Sequence, residues 1–181
     1  MTSAQPYFPT LLVSGVRVDF AHLEPFKFSV PTAARPNGAR IEVRFSNHCF
    51  SESYDTAKHV SSVDVWDGHR RRVFDEARYA LSLGLRGIIE ALPMSSVFQT
   101  PEANFVWILA PESNGLAEYR IYFNVKRDSG PGAADLRLFV ESAYAPDPTT
   151  ALKASRMTRV RFALLIDKVV RGEKLRFQYK R

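Results

Sequence analysis

The chain has 181 residues, of which 45% are hydrophobic and 24% are charged. These proportions are ordinary for a globular domain and exclude an intrinsically disordered chain. No apolar run approaches the roughly 20 residues of a membrane helix, the N-terminus lacks the pattern of a secretory signal, and the single cysteine excludes an intrachain disulfide. We therefore expect a cytoplasmic protein without a membrane partner.

The net charge of +6 favours an anionic partner, either nucleic acid or an acidic protein. Basic residues are most concentrated in the segment Arg156–Arg181, where the acidic residues are Asp167 and Glu173. Such a one-signed end of a chain suggests a binding surface more strongly than scattered charge does. Many basic proteins bind neither kind of partner, so the charge alone leaves the function open.

The N-terminal third predicts an extended arm followed by strands. Residues 1–10 carry two prolines and show no periodic pattern of apolar residues. Leu11–Phe20 and Phe26–Val30 alternate and are predicted to form a hairpin around His22–Pro25, with His22 as a solvated turn residue.

The segment Arg40–Phe50 has the clearest alternation of apolar and polar residues, which predicts an amphipathic strand. One face carries Ile41, Val43 and Phe45, and the other carries Glu42, Arg44, Ser46 and His48. Cys49 falls on the apolar side, so we expect a buried and inert thiol.

A polar stretch, a cationic cluster and a helix follow. Ser51–Gly68 has no clear period and is predicted to be a short strand or a mobile loop, with an Asp-Gly turn at its end. The cluster His69–Arg72 comes next. Asp75 is predicted to cap a helix that ends at Pro93, because leucine and isoleucine recur there at spacings of three and four.

Three strands are predicted in the middle of the chain. They are Asn104–Ala110, Glu118–Lys126 and Asp135–Tyr144, joined by short turns that favour an antiparallel meander. Within the first strand Phe105–Leu109 is a continuous apolar run, so we expect a central strand covered on both sides.

The C-terminal segment begins after a break at Pro146–Thr150. Ser155 is predicted to cap a last helix, Met157–Arg171, which ends before Gly172. The tail Leu175–Lys180 alternates in the manner of a strand.

These elements predict an α+β fold: a mainly antiparallel twisted sheet packed against one central helix, with a basic C-terminal helix. Residues 1–50 supply N-terminal strands, residues 51–148 the helix and sheet core, and residues 149–181 the basic helix and tail. We expect the three segments to form one compact domain.

Several kinds of site are disfavoured by spacing. His48, Cys49, His59 and His69 cluster in sequence but lack the paired spacing of a zinc site, so no metal is predicted. The chain contains no P-loop, no G-x-G-x-x-G and no G-x-S-x-G motif. No cofactor is predicted.

Metal-free RNA cleavage remains compatible with the residues present. It needs a base near the ribose 2′-OH, a cation for the charge that develops on the phosphate, and a proton donor for the leaving group. The right residue types are His48, the His69–Arg72 cluster, Lys126, Ser142 and Tyr144. The alternative is a solvated charge run and ordinary packing, since alternation places Ser142 and Tyr144 on the face of Leu136–Val140.

From about Arg71 to Pro146 the order is helix, apolar strand, basic alternating strand, and a strand that ends in Ser-Ala-Tyr-x-Pro. This order resembles the barnase–EndoU–colicin–RelE group of small RNases and RNase toxins. The resemblance implies a helix paired with an antiparallel sheet. It also implies that Ser142–Tyr144 stands for the Ser-x-aromatic of colicin-D-type members, and His69 with Arg70–Arg72 for their histidine and cations.

The sequence therefore predicts a metal-independent RNase-like or toxin-like domain that acts on RNA. The predicted catalytic residues are His69, His48, Ser142 and Tyr144. The predicted nucleic-acid-binding residues are Arg70, Arg71, Arg72, Lys126, Arg156, Arg159 and Lys168.

Two alternatives remain open. One is a non-enzymatic binding module that uses Arg156–Arg181 to hold nucleic acid or an acidic protein. The other is a structural or assembly protein in which Glu118–Lys126 or Leu175–Lys180 pairs with another chain.

Overall fold

The computed structural model describes residues 5–60, 62–100, 105–109, 118–130, 132–147, 157–173 and 175, and it confirms an α+β fold. The helices are α1 (Glu76–Ser82), α2 (Leu85–Ala91) and α3 (Phe162–Arg171). The strands are β1 (Leu11–Val13), β2 (Val16–Val18), β3 (Phe26–Val30), β4 (Ala39–Phe45), β5 (Ser51–Ser53), β6 (Asp64–Asp67), β7 (Arg70–Phe74), β8 (Ser96–Gln99), β9 (Phe105–Leu109), β10 (Tyr119–Arg127), β11 (Leu136–Tyr144) and β12 (Thr158–Arg161).

A seven-stranded sheet forms the centre of the molecule, in the order β12-β8-β9-β10-β11-β4-β3. The predicted meander β9–β10–β11 is confirmed, and β9 has a strand on each side. Asn104 and Ala110, the ends of that predicted strand, lie outside the described residues. Strand β10 pairs with β11 over Arg120–Arg127 and with β9 over Tyr119–Phe123, so most of the segment predicted to pair with another chain is already paired within this one.

One face of this sheet is the apolar core. Alternation along β4 buries Ile41, Val43 and Phe45, as predicted. Phe123 on β10 contacts the Phe162 ring of α3 at 6.1 Å between centroids. Each such buried side chain contributes about 1.5–3 kcal/mol to folding. The same cluster contains Leu85, Ile89, Ile121, Leu136, Leu138, Val140, Leu165 and Ile166.

A smaller three-stranded sheet, in the order β5-β7-β6, stands beside the large one. Both β5 and β6 pair antiparallel with β7. Gly68, with φ of +58°, allows the tight turn between β6 and β7 that the Asp-Gly pair predicts. The stretch predicted as a short strand or a mobile loop therefore supplies two strands.

Two predictions for the N-terminal strands are wrong. Strand β3 pairs with β4, while β1 pairs with β2 in a separate two-stranded hairpin. His22 is not a solvated turn residue, because its Nε2 lies 2.7 Å from Ser82 Oγ. Burial lowers the pKa of His22 below its usual value.

The helices also depart from the predicted ranges. Asp75 is the N-cap as predicted, since its side chain accepts the backbone N–H of Arg78. The helix then breaks at Gly84 into α1 and α2 and ends in a 3-10 turn, Leu92–Met94.

The last helix begins at Phe162 rather than Met157. The residues before it form β12, which pairs with β8 along the edge of the large sheet. The β-branched Thr158 and Val160 favour this extended conformation. Gly172 ends the helix in the left-handed conformation, as predicted, and Ser155 lies outside the described residues.

A β-bulge changes the side-chain phase near the end of β11. Tyr122 pairs with Ser142 but Phe123 pairs with Val140, so Glu141 is an extra residue on β11. The expectation that Ser142 and Tyr144 continue the Leu136–Val140 face is therefore wrong. Ala143 is buried instead.

Among the described residues, no helix has the length and apolar character needed to cross a membrane.

Candidate functional site

The candidate site lies where β4 and β11 end. These two strands are parallel, so their carboxyl ends lie at the same edge of the sheet. The chain leaves β4 through a 3-10 turn, Asn47–Cys49, and the Ser46 N–H donates to Val140 O at 2.9 Å. His48 is thereby brought beside the end of β11, which carries Ser142 and Tyr144.

His48 is held by hydrogen bonds at its backbone and its ring. Its N–H donates to Ser46 Oγ at 3.1 Å, and its Nε2 lies 2.9 Å from Asp67 Oδ2 on β6. The predicted strand position of His48 is wrong, because β4 ends at Phe45 and the turn redirects the ring toward Asp67. When Nε2–H donates to Asp67, Nδ1 is an acceptor, and it has no partner among the described residues.

Arg78 on α1 contacts several of the segments that form the site. Its Nη1 donates to the carbonyl oxygens of Ser51 at 3.1 Å and His48 at 3.3 Å. Its Nε lies 3.5 Å from Asp75 Oδ2. The guanidinium carbon also lies 4.9 Å from the centre of the Tyr144 ring, within the range of a cation–π contact. Arg78 thus joins the small sheet, the turn after β4 and the end of β11.

Two tyrosines extend the site along the sheet. The rings of Tyr122 and Tyr144 stack at 5.8 Å between centroids and 16° between planes. Burial, together with a hydrogen bond to Tyr144, raises the pKa of Tyr122 to about 12. Its phenol is therefore a proton donor at neutral pH. Arg120 is buried beside it and forms an ion pair with Glu118.

The predicted His69–Arg72 cluster is divided by strand alternation. His69 and Arg70 are exposed at the hairpin turn after β6, and His69 is two positions from Asp67. Arg72 points inward, where its guanidinium donates to Ser51 Oγ and Ser51 O, each at 2.8 Å. Burial lowers the pKa of Arg72.

The fourth member of that cluster has partners of its own. Arg71 pairs with Asp64 at 2.9 Å, and this hydrogen bond raises its pKa. Its guanidinium carbon lies 3.8 Å from the centre of the Tyr54 ring.

The other predicted cations are not brought to this corner. Lys126 is exposed on β10, and Arg159 is exposed on β12, four strands away from β11. Lys168 pairs with Glu173 at 3.0 Å. Arg156 lies outside the described residues.

Cys49 and His59 have structural surroundings. The prediction of a buried thiol is confirmed, and burial raises the pKa of Cys49 to about 12, so the thiol stays protonated. His59 Nδ1 accepts the Asp55 N–H at 2.8 Å, and its Nε2 lies 2.8 Å from Glu52 Oε1. No group of three or more His, Cys, Asp or Glu placed to hold a metal ion occurs in the described part of the chain.

Sequence reasoning missed Asp67, Arg78 and Tyr122 as site residues. Asp67 was visible only as the start of a turn, and Arg78 as one more charge on a helix. Their roles depend on the pairing of distant strands, which no local pattern shows.

A family model described as the YjaZ family matches residues 10–170. The chain belongs to the YjaZ family. The match includes every element that builds the candidate site of this YjaZ-family chain, from β4 to the end of β11. Comparison with curated proteins and with solved structures found no match.

Proposed function

We propose that this YjaZ-family chain is a metal-independent, toxin-like ribonuclease whose active site lies around His48. The observation that carries the proposal is the contact of 2.9 Å between His48 Nε2 and Asp67 Oδ2, beside Arg78 and Tyr144. A carboxylate that holds an imidazole fixes its tautomer and stabilises its cation, which suits general acid–base catalysis.

The proposed reaction is an attack of the ribose 2′-oxygen on the adjacent phosphorus. His48 Nδ1 takes the 2′-hydroxyl proton as the new P–O bond forms. The bond from phosphorus to the 5′-oxygen then breaks, and a donor returns a proton to that oxygen, leaving a 2′,3′-cyclic phosphate. The candidates for this proton donor are the hydroxyl groups of Tyr144 and Ser142, which lie at the same edge of the sheet, and the imidazole of His69.

Arg78 is suited to stabilise the charge that develops on the phosphate. Its Nη1 and Nε contact Ser51, His48 and Asp75. Its Nη2 has no partner among the described residues, so it can donate to a phosphate oxygen. The guanidinium of Arg72 donates hydrogen bonds to Ser51, so we assign Arg72 a structural role. We assign the phosphate contacts to Arg78 and Arg70.

The test is incubation of the purified chain with total RNA and tRNA in the presence of a chelator. Discrete products are expected from the parent. His48→Ala is expected to lower the cleavage rate by roughly 100- to 10,000-fold, the usual contribution of a general acid or base. Asp67→Asn should lower it as well, because the ring loses its orienting carboxylate.

His69→Ala is the matched comparison, since it removes the second imidazole that the proposed reaction uses at the same corner. It is expected to lower the rate less than His48→Ala does, because its ring is exposed and has no hydrogen-bond partner among the described residues. A His48→Ala protein that is folded and cuts as fast as the parent would refute this site. A parent that cuts no RNA would refute the function.

A further inference from the structure

The face of the large sheet opposite the core carries a continuous polar row. Along β10 and β11 the cross-strand pairs on this face are Lys126–Arg137, Asn124–Phe139, Tyr122–Ser142 and Arg120–Tyr144. The bulge at Glu141 is what keeps Ser142 and Tyr144 on this face. From Lys126 to Tyr122 the row runs about 13 Å, at roughly 3.3 Å per residue. Arg120, beyond Tyr122, is buried, and its partner Tyr144 contacts Arg78.

A cleft of about 410 Å³ lies at the far end of this row. Its lining combines cations, aromatic rings and polar groups: Tyr7, Arg44, Asn124, Lys126, Arg127, Arg137, Phe139 and Glu141. The lining therefore holds four cations and one carboxylate.

The cations of the cleft differ in whether they form ion pairs within the chain. Arg44 pairs with Glu42 at 2.9 Å, and Arg137 pairs with Asp128 at 3.1 Å. Lys126 is exposed and has no ion-pair partner among the described residues, so it is available to an external anion. Arg127 is exposed too, but it alternates to the core face of β10, where its guanidinium lies beside Gly172.

The aromatic rings of the cleft are accessible. Tyr7 and Phe139 are each 36% exposed. Exposed rings beside the unpaired Lys126 match the requirements of single-stranded nucleic acid, in which bases stack on aromatic rings and phosphates contact cations.

We infer that this face is a binding track for single-stranded RNA that leads the strand from the Lys126 cleft to the His48 corner. The inference rests on the proposed function and specifies its substrate class. A duplex offers its phosphates but keeps its bases stacked, so it gains nothing from Phe139. Preference for a single strand over a duplex is therefore the signature of this track.

The test measures binding separately from cleavage. Fluorescence anisotropy with a labelled RNA oligonucleotide, alone or annealed to its complement, gives the affinity of the uncleaving His48→Ala chain over a range of salt concentrations. The variant Lys126→Gln should weaken single-strand binding about three- to tenfold. It should also lower the slope of log affinity against log salt concentration by roughly 0.7, for one lost phosphate contact.

Two further variants sharpen the result. Phe139→Ala should weaken single-strand binding by about 5- to 100-fold and leave duplex binding unchanged, as expected for loss of one stacked base. Arg17→Gln removes the same charge away from the cleft. It should change the affinity by less than about twofold and leave the salt slope unchanged.

The outcomes separate this inference from the proposed function. Equal losses in the cleft and control variants, or a preference for duplex, overturn the track. Cleavage by the parent chain with unchanged affinity in the cleft variants overturns the track and leaves the ribonuclease standing. Binding that follows the predictions without cleavage by the parent supports the track and overturns the ribonuclease.

Discussion

The seven-stranded and three-stranded sheets of this molecule are held together in different ways. The large sheet buries Phe123, Leu138 and Ile41 completely. In the small sheet the buried apolar side chains are the smaller Val65 and Val73, and Arg72 forms a buried polar contact with Ser51. Burying a large apolar side chain contributes about 1.5–3 kcal/mol, whereas a hydrogen bond contributes about 0.5–1.5 kcal/mol net.

This difference bears on the candidate site, because the site joins the two sheets. His48 follows a strand of the large sheet, and Asp67 ends a strand of the small one. We expect the small sheet to open locally at a lower free energy than the large sheet. The geometry of the His48–Asp67 pair then depends on the weaker of the two regions.

The largest effect is expected from the core of the large sheet. Phe123→Ala should lower the free energy of unfolding by about 3–5 kcal/mol, because it leaves a cavity against Phe162. Phe139→Ala, on the neighbouring strand but on the exposed face, should cost less than about 1 kcal/mol. Urea denaturation of both variants measures the contrast, and equal losses would contradict the assignment of the faces.

A smaller and more local effect is expected from the small sheet. Arg72→Met should cost about 1–3 kcal/mol, because it removes two charged hydrogen bonds to Ser51 and keeps the apolar stem. Amide hydrogen exchange should show weaker protection in residues 51–53 and 64–74, with residues 121–125 unchanged. Equal loss of protection in both regions would mean that the two sheets open as one unit.

The helix that carries Arg78 gives the next effect. Asp75→Ala should destabilise the chain by about 1 kcal/mol, since the cap on the Arg78 N–H is lost. Asp75→Asn keeps a capping oxygen and should retain most of that stability. Thermal unfolding of the pair tests this, and an Asn variant as unstable as the Ala variant would argue against the capping role.

The smallest effect on stability at neutral pH is expected from a polar contact of Asp167, which lies on α3. Asp167 Oδ1 accepts the Ala34 N–H at 2.7 Å, and this bond, with Thr32 and Arg171, lowers the pKa of the carboxyl group. A lowered folded-state pKa gives stability that is present above the unfolded value of about 3.9 and is lost as the pH falls through the folded value.

Asp167→Asn should therefore make stability less dependent on pH below about pH 4. Glu173→Gln, at the end of the same helix, serves as the control. Urea midpoints between pH 2.5 and pH 7 measure the effect, and an unchanged pH dependence would contradict it.

Local patterns predict much of the scaffold and part of the site. The alternation of Ile41, Val43 and Phe45 identifies β4, and short turns identify the meander, because both depend on residues that are close in sequence. The pairing of β4 with β11 joins residues as distant as Arg40 and Asp135, 95 positions apart, and no local period encodes it.

The site was only partly predictable for the same reason. His48, Ser142 and Tyr144 were selected by residue type. Their common location depends on the parallel pair, and the orientation of Ser142 and Tyr144 depends on a bulge that is defined only by its partner strand. Asp67 and Arg78 acquire their roles from the docking of the small sheet and of α1.

The parallel pairing of β4 and β11 has a consequence for the order of folding. A contact across 95 positions requires closure of a long loop, which makes it slow relative to the hairpins and the meander. During synthesis β4 leaves the ribosome long before β11, and it can pair with β3 in the meantime. The His48 corner is therefore assembled only after β11 has emerged, so a nascent chain that already contains His48, Asp67 and Arg78 still lacks the site.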